Sequence, residues 1–244
     1  MKPRFSLVAK SMEKLRGKTV LVLGGSGALG SLITSALIAN GAQVMATTTA
    51  NEKGDLIPSA ASPRLLLNLE APESIEVLVN YLIQSGARID GIVNATGLVA
   101  FGPASEMAVA TLYRLSAVNL TGPIALISGL LPALRSSAQA GNEPFIVNIS
   151  GVVAESPMAG LAAYSATKAG LWAFDQALSR EVRKEGIRVI DARPGHTETG
   201  LASRAIAGIA PAFPTGMAPG WVADRIVSAI LNGETDLPST AFAS

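Results

Sequence analysis

The sequence predicts an α/β fold: a doubly wound parallel sheet with helices on both faces, three layers deep, in one domain. Three observations predict it. Strand-like and helix-like segments alternate along the 244 residues. The strand-like runs are apolar throughout, which suits a sheet covered on both faces. A glycine-rich turn joins the first strand to the first helix. Repeated βα units take right-handed crossovers, and these build a doubly wound sheet.

The elements follow in order. Thr19–Leu23 is a β-rich run that stops at glycines. Leu29, Leu32, Ile33, Ala36 and Leu37 then recur at helical spacing, and Asn40-Gly41 closes that helix. Gln43–Thr47 is a second strand and Arg64–Leu69 a third, followed by a helix over about Pro72–Ser85. Ile89–Asn94 and Phe145–Ile149 are the fourth and fifth strands. A long helix spans roughly Ala162–Lys184, and Arg188–Ala192 is a sixth strand. No linker or repeat divides the chain, so residues 1–244 read as one domain with an N-terminal extension over 1–17. Residues 200–220 are rich in small residues, hold Pro211, Pro214 and Pro219, and show no period. Such a segment suits either a lid over a substrate pocket or a plain surface excursion.

Composition excludes several functions. With 49% apolar and 15% charged residues, little polar material is available to cover a monomer, so a buried interface between copies is expected. A formal net charge of +1 gives no electrostatic case for nucleic acid or an anionic membrane. There is no cysteine and a single histidine, His196, which removes thiolate chemistry and argues against a metal site. Residues 1–11 lack the apolar core of a signal peptide. The apolar run around Pro123–Leu134 falls short of the ~20 residues of a membrane span. A cytoplasmic protein is expected.

Gly24-Gly25-Ser26-Gly27-Ala28-Leu29-Gly30 sits between the first strand and the first helix. Gly25, Gly27 and Gly30 satisfy G-x-G-x-x-G, the Rossmann-like arrangement in which backbone approaches a pyrophosphate and a helix N-terminus favours its charge. An acid at the end of the second strand usually selects NAD over NADP. Here Thr47, Thr48 and Thr49 precede Asn51 and Lys53, with no acid before Glu52. That pattern favours NADP, with NAD possible.

Tyr164 and Lys168 lie four apart, on one face of the long helix. A phenol needs help to act as a proton carrier near neutrality, and an adjacent ammonium favours its ionised form. With these residues the sequence resembles the short-chain dehydrogenase/reductase family in its short single-domain form, over about Lys18 to Thr199. The Tyr-x-x-x-Lys pair is carried on Ala162–Gly170. Asn119, in Val118-Asn119-Leu120-Thr121-Gly122, matches the family's helix asparagine. Asn94-Ala95-Thr96-Gly97 stands where the family has Asn-Asn-Ala-Gly. Asn68-Leu69 stands where an Asp usually contacts adenine. Arg193-Pro194-Gly195 with Thr197 and Thr199 matches the loop that orients the nicotinamide amide.

Three departures accompany the match. Ala28 replaces a glycine of the short members, while Gly27 follows the extended members. Ala95 replaces an asparagine that braces the sheet. The substrate-oxygen serine, thirteen residues before the tyrosine, is Gly151 here, with Ser150 one position earlier. Strict strand alternation would turn Ser150 away from the cleft, whereas a bulge at Gly151 would re-aim it. Ser150 is expected to take the role, the alternative being that Tyr164 alone binds the oxygen. His196 lies beside the presumed nicotinamide, while Trp172, Phe174 and Leu178 read as core or subunit interface.

The resemblance implies hydride transfer between a nicotinamide cofactor and a carbonyl or alcohol substrate. Tyr164 would be the acid/base and Lys168 would lower its pKa and hold the ribose. Ser150 would steady the oxygen, and Asn119 would link the lysine to solvent through water. Cofactor contacts would come from Gly24, Ser26, Gly27, Ala28, Leu29, Gly30, Thr48, Thr49, Asn68, Leu69 and Asn94–Gly97, with Tyr164, Lys168, Pro194, Gly195, Thr197 and Thr199. A homodimer or homotetramer is implied. Gly151 also admits a nucleotide-binding regulator with weak or no catalysis. The Gly27 pattern admits an epimerase or dehydratase, against which the short C-terminal part of the chain speaks.

Overall fold

Val20 and Val22 face one side of the first strand, Leu21 and Leu23 the other, and all are fully buried. That strand, β1 (Thr19–Leu23), lies inside a seven-stranded parallel sheet of order β3-β2-β1-β4-β5-β6-β7. The computed structural model describes residues 15–243. Most of the expected extension over 1–17 lies outside the described residues. The other strands are β2 (Gln43–Thr48), β3 (Arg64–Leu66), β4 (Gly91–Asn94), β5 (Phe145–Ile149), β6 (Arg188–Ala192) and β7 (Asp236–Leu237).

Helices α1 (Ala28–Ala39) and α6 (Pro219–Asn232) cover one face, burying Ile33, Leu37, Val222 and Ile226 against Val22, Val147 and Ile190. Helices α2 (Pro72–Gln84), α4 (Gly122–Gln139) and α5 (Ala162–Val182) cover the other, with Leu78, Leu130 and Leu178 against Leu21, Ile92 and Ile146. Each such side chain contributes about 1.5–3 kcal/mol through its removal from water. Helix α3 (Val109–Ser116) leads into α4 through a π-helical turn, Ala117–Thr121.

The chain runs from β1 outward to β3, then crosses back to β4 and outward to β7. The direction therefore reverses between β1 and β4, and a crevice opens beyond their carboxyl ends. Strands β1, β2, β4, β5 and β6 match the expected runs to within two residues. The third strand ends at Leu66, because Leu67 and Leu69 turn into the core beneath α2. The long helix gives way to a 3-10 turn, Arg183–Glu185, before Gly186. Helices α3, α4 and α6 and strand β7 are additions to the sequence reading.

The expectation of a short apolar run at Pro123–Leu134 is corrected. The continuous helical stretch 109–139 is long and apolar enough, by length and composition, to cross a membrane. Its apolarity belongs to the core: Leu126, Ile127, Leu130 and Leu134 are fully buried against the sheet.

Candidate active site

The glycine loop closes the crevice on the β1 side. Gly27 caps α1, whose first turn holds no acid, so the amides of that turn face the cleft uncancelled. A Cβ on Gly30 would stand 2.1 Å from the Gly24 carbonyl oxygen, so only glycine lets the helix pack this tightly on the loop. The Gly24 amide donates to Thr47 Oγ1 at 3.0 Å, which ties the loop to β2. Gly27, Ala28 and Leu29 line the cleft, and Ser26 is half-buried beside them.

At the end of β2, Thr48 is buried and its hydroxyl donates to the Ala50 carbonyl at 3.1 Å. Thr49, Asn51 and Lys53 are exposed. Asn68 is exposed and its side chain accepts from the Glu70 amide at 3.0 Å, whereas Leu69 is a core residue. Asn94 is also buried: Nδ2 donates to Asn148 Oδ1 at 2.9 Å, and Oδ1 accepts from the Thr96 amide and hydroxyl. Asn94 and Asn148 thus brace β4 against β5, the task expected to be weakened by Ala95. Ala95, Thr96 and Gly97 form the cleft wall.

Tyr164 and Lys168 project from the first two turns of α5. Lys168 is buried, and Nζ donates to the Ile149 carbonyl at 2.8 Å. Burial pulls its pKa down to about 8, against the opposing pull of Asp191 and Asp175. Burial pushes the Tyr164 phenol up to about 12. Desolvation is the cause of both shifts, and the Lys168 ammonium is directed at a main-chain carbonyl.

Asn119 sits in the π-turn between α3 and α4. Its side chain accepts from the Leu98 amide at 2.8 Å and donates to the Leu98 carbonyl at 2.9 Å and to Thr167 Oγ1 at 3.2 Å. A Cβ on Gly97 would lie 3.7 Å from both Asn119 Oδ1 and Lys168 Nζ, so the two groups flank one gap.

Ser150 departs from expectation. It stays in register with Asn148, fully buried, and Oγ donates to Asp191 Oδ1 at 2.7 Å. Gly151 does turn the chain, at φ 80°, but only after the serine side chain has been committed to the sheet face. Ser150 and Gly151 both border the cavity, but the Ser150 hydroxyl is committed to Asp191.

Sequence reasoning also missed a buried ionic cluster beside the site. Arg193 is buried and donates to Glu155, to Asp191 at 2.6 Å and to Asp236 at 2.7 Å. Its guanidinium lies 5.0 Å from the centre of the Trp172 ring, and Phe174 packs on the core. The one available signal was the pair of charges at 191 and 193, two apart at the end of β6.

The far wall is apolar. Val99, Phe101, Val153 and Leu161 cluster with Leu201, Ala205 and Phe213 over a cavity of about 270 Å³. Pro194, Gly195, His196, Thr197 and Thr199 complete the rim. The segment 200–220 crosses this wall and is fastened to it. Phe101 N donates to Ala207 O, and Ile206 N to Val99 O, both at 2.9 Å. Met217 pairs with His196 and Glu198 at its far end, and Phe213 stacks on His196 at 4.8 Å.

A parallel sheet with a switch-point crevice, a glycine loop at a helix N-terminus, and a Tyr–Lys pair opposite it define a dinucleotide-binding oxidoreductase. Comparison with known proteins places it further. Residues 18–209 match the short chain dehydrogenase family, and the chain belongs to it. It is 32% identical over 222 residues to the 3-oxoacyl-[acyl-carrier-protein] reductase FabG of Salmonella typhimurium, covering 88% of each chain. It is similar to a short-chain dehydrogenase structure from Streptomyces avermitilis, with TM-score 0.79, 28% identity, and coverage of 92% and 90% of the two chains. A short-chain dehydrogenase from Sphingobium yanoikuyae, solved with NADPH, shares the fold at TM-score 0.79 and 24% identity, with 91% and 87% covered. The protein is an NAD(P)(H)-dependent oxidoreductase interconverting a carbonyl and an alcohol. Neither the family match nor these relatives supports the regulator alternative.

Proposed function

We propose that this protein reduces an apolar carbonyl compound with NADPH in preference to NADH, with Tyr164 as the proton donor. The observation that carries the reading is the placement of Tyr164 and Lys168 between the phosphate-facing helix terminus and the apolar cavity. Gly27–Leu29 would hold the pyrophosphate, Lys168 the ribose, and Pro194–Thr199 the nicotinamide amide. When bound, the cofactor supplies the hydride. The absence of an acid at the end of β2, with Thr49 and Lys53 exposed, supports the 2′-phosphate.

Tyr164 is protonated near neutrality, as a phenol ordinarily is, and this is the state a general acid needs. In reduction it gives its proton to the substrate oxygen; in oxidation it takes one back. With Ser150 turned to Asp191, Tyr164 alone holds that oxygen. Asn119 fixes the Leu98 loop that forms the cleft wall and borders the gap beside Lys168. The apolar wall supports medium-sized ketones or 3-oxoacyl groups, and residues 200–220 serve as its cover. Exposed Val109, Leu112 and Tyr113 on α3 support a homodimer or homotetramer, and we place the protein in the cytoplasm.

The test is a carbonyl panel that includes 3-oxoacyl thioesters and cyclic ketones, run with NADPH and with NADH. Turnover that falls about 10²-fold or more in Tyr164→Phe, with unchanged NADPH affinity, supports the assignment. Turnover retained in that variant refutes it.

A further inference from the structure

The polar face behind Lys168 holds two carboxyl groups for which hydride transfer has no use. Asp175 lies two turns beyond Lys168 on the buried face of α5, and Asp191 lies on β6. One oxygen of each is satisfied. Asn148 Nδ2 donates to Asp175 Oδ1 at 2.6 Å, while Ser150 and Arg193 donate to Asp191 Oδ1 at 2.7 and 2.6 Å. The other oxygens, Asp175 Oδ2 and Asp191 Oδ2, are buried and meet no N–H or hydroxyl donor. Asn148, which donates to Asp175, is paired with Asp191 across β5 and β6, so the two carboxyl groups are neighbours. Two ionised carboxylates in contact and out of water repel, and each bare oxygen also loses its hydration. A single proton between them removes both costs.

We propose that Asp175 and Asp191 share one proton between these oxygens and act, as a unit of single negative charge behind Lys168, as positioning residues for the ammonium that holds the cofactor ribose. The proposal rests on the assignment of Lys168 given above. The ionisable groups facing the pair are few. Lys168 comes from α5 and Arg193 from just after β6. Glu155, after β5, and Asp236, on β7, occupy the other edges of Arg193. Strand β5 adds only the neutral Asn148 and Ser150. Burial and repulsion from Asp191 hold Asp175 well above the usual carboxylate range. Burial raises Asp191 above the usual carboxylate range too, with Ser150 and Arg193 opposing the rise. The negative charge of the pair favours the charged form of Lys168 against desolvation.

Two measurements on the full-length protein test this. Infrared difference spectra of wild type against Asp175→Asn at neutral pH should show the C=O stretch of a protonated, buried carboxylic acid, lost in the variant. NADPH fluorescence titrations from neutral to alkaline pH should show affinity falling as Lys168 loses its proton. In Asp175→Asn/Asp191→Asn that fall should move to lower pH by about one unit. Asp175→Asn alone, which keeps the charge of Asp191 and can donate to it, should move it distinctly less. A missing C=O band overturns the proposal. So does a double variant whose affinity drops equally at every pH, since that marks a merely structural role. If the double variant does not fold, the band and the single-variant titration still decide. Wild-type NADPH affinity in Lys168→Met would instead remove the Lys168 assignment, and retained turnover in Tyr164→Phe would remove the acid/base assignment.

Discussion

Ser150 Oγ donates to Asp191 Oδ1 at 2.7 Å, and this bond commits the hydroxyl next to Gly151, at the serine position of the family, to the sheet. Ser150→Ala is therefore expected to act mainly on stability. The lost bond to a charged group should cost about 1.5–3 kcal/mol, seen as a lower denaturation midpoint. Turnover at saturating substrate should stay within about tenfold of wild type, well short of the loss expected for a general acid. A larger fall in kcat, with the midpoint unchanged, would return Ser150 to the oxygen.

Lys168 is expected to set the alkaline limit of cofactor binding. Its pKa is drawn down to about 8, so most of its charge is in place at neutral pH and is lost as the pH rises through that value. NADPH affinity measured by fluorescence should be flat below that point and weaken above it. Lys168→Met should be weak throughout, with no alkaline transition.

Gly30 fixes the approach of α1 to the loop. In Gly30→Ala the new methyl would sit 2.1 Å from the Gly24 oxygen, so the loop must move. Cofactor affinity should fall more than about tenfold, equivalent to 1.4 kcal/mol. The denaturation midpoint should fall with it. Unchanged affinity would show that the pyrophosphate does not depend on this turn.

Gly208 seats the cover over the cavity. Its φ is 70°, and a Cβ there would lie 2.0 Å from the Phe101 carbonyl oxygen. Gly208→Ala should detach the crossing strap from the Val99–Phe101 wall. The Michaelis constant for the carbonyl substrate should rise several-fold while NADPH affinity, measured without substrate, stays as in wild type. Loss of both together would place the segment in cofactor binding instead.

The sequence carried the sheet and the cofactor side of the cleft because both rest on local chemistry. Apolar runs such as Thr19–Leu23 bury both faces of one strand, and glycines at 27 and 30 serve a turn within a few residues. What it hid depends on partners distant in the chain. Strand β7 has only Asp236 and Leu237 and is defined by pairing with β6. Helix α4 carries Pro132 in its interior, which reads locally as a break yet is held by packing on the sheet. Ser150 lost its expected role to Asp191, forty-one residues on, and the grouping of Asp175, Asp191 and Arg193 becomes visible only when α5 lies on β6.

The π-turn at Ala117–Thr121 acts as a phase shifter within one long rod. The wider turn accommodates one residue more than a regular helix would, and that offset presents the Asn119 amide to the Leu98 backbone at both ends. Deleting one residue beside Asn119 would turn the wide turn into regular helix while leaving α3 and α4 close to their present relative orientation. Asn119 would lose the offset that aims it at Leu98, and the cleft wall would lose its anchor. At this point of the chain, residue count matters more than residue type: substitutions of Val118 or Leu120 should be absorbed, while a change in length should not.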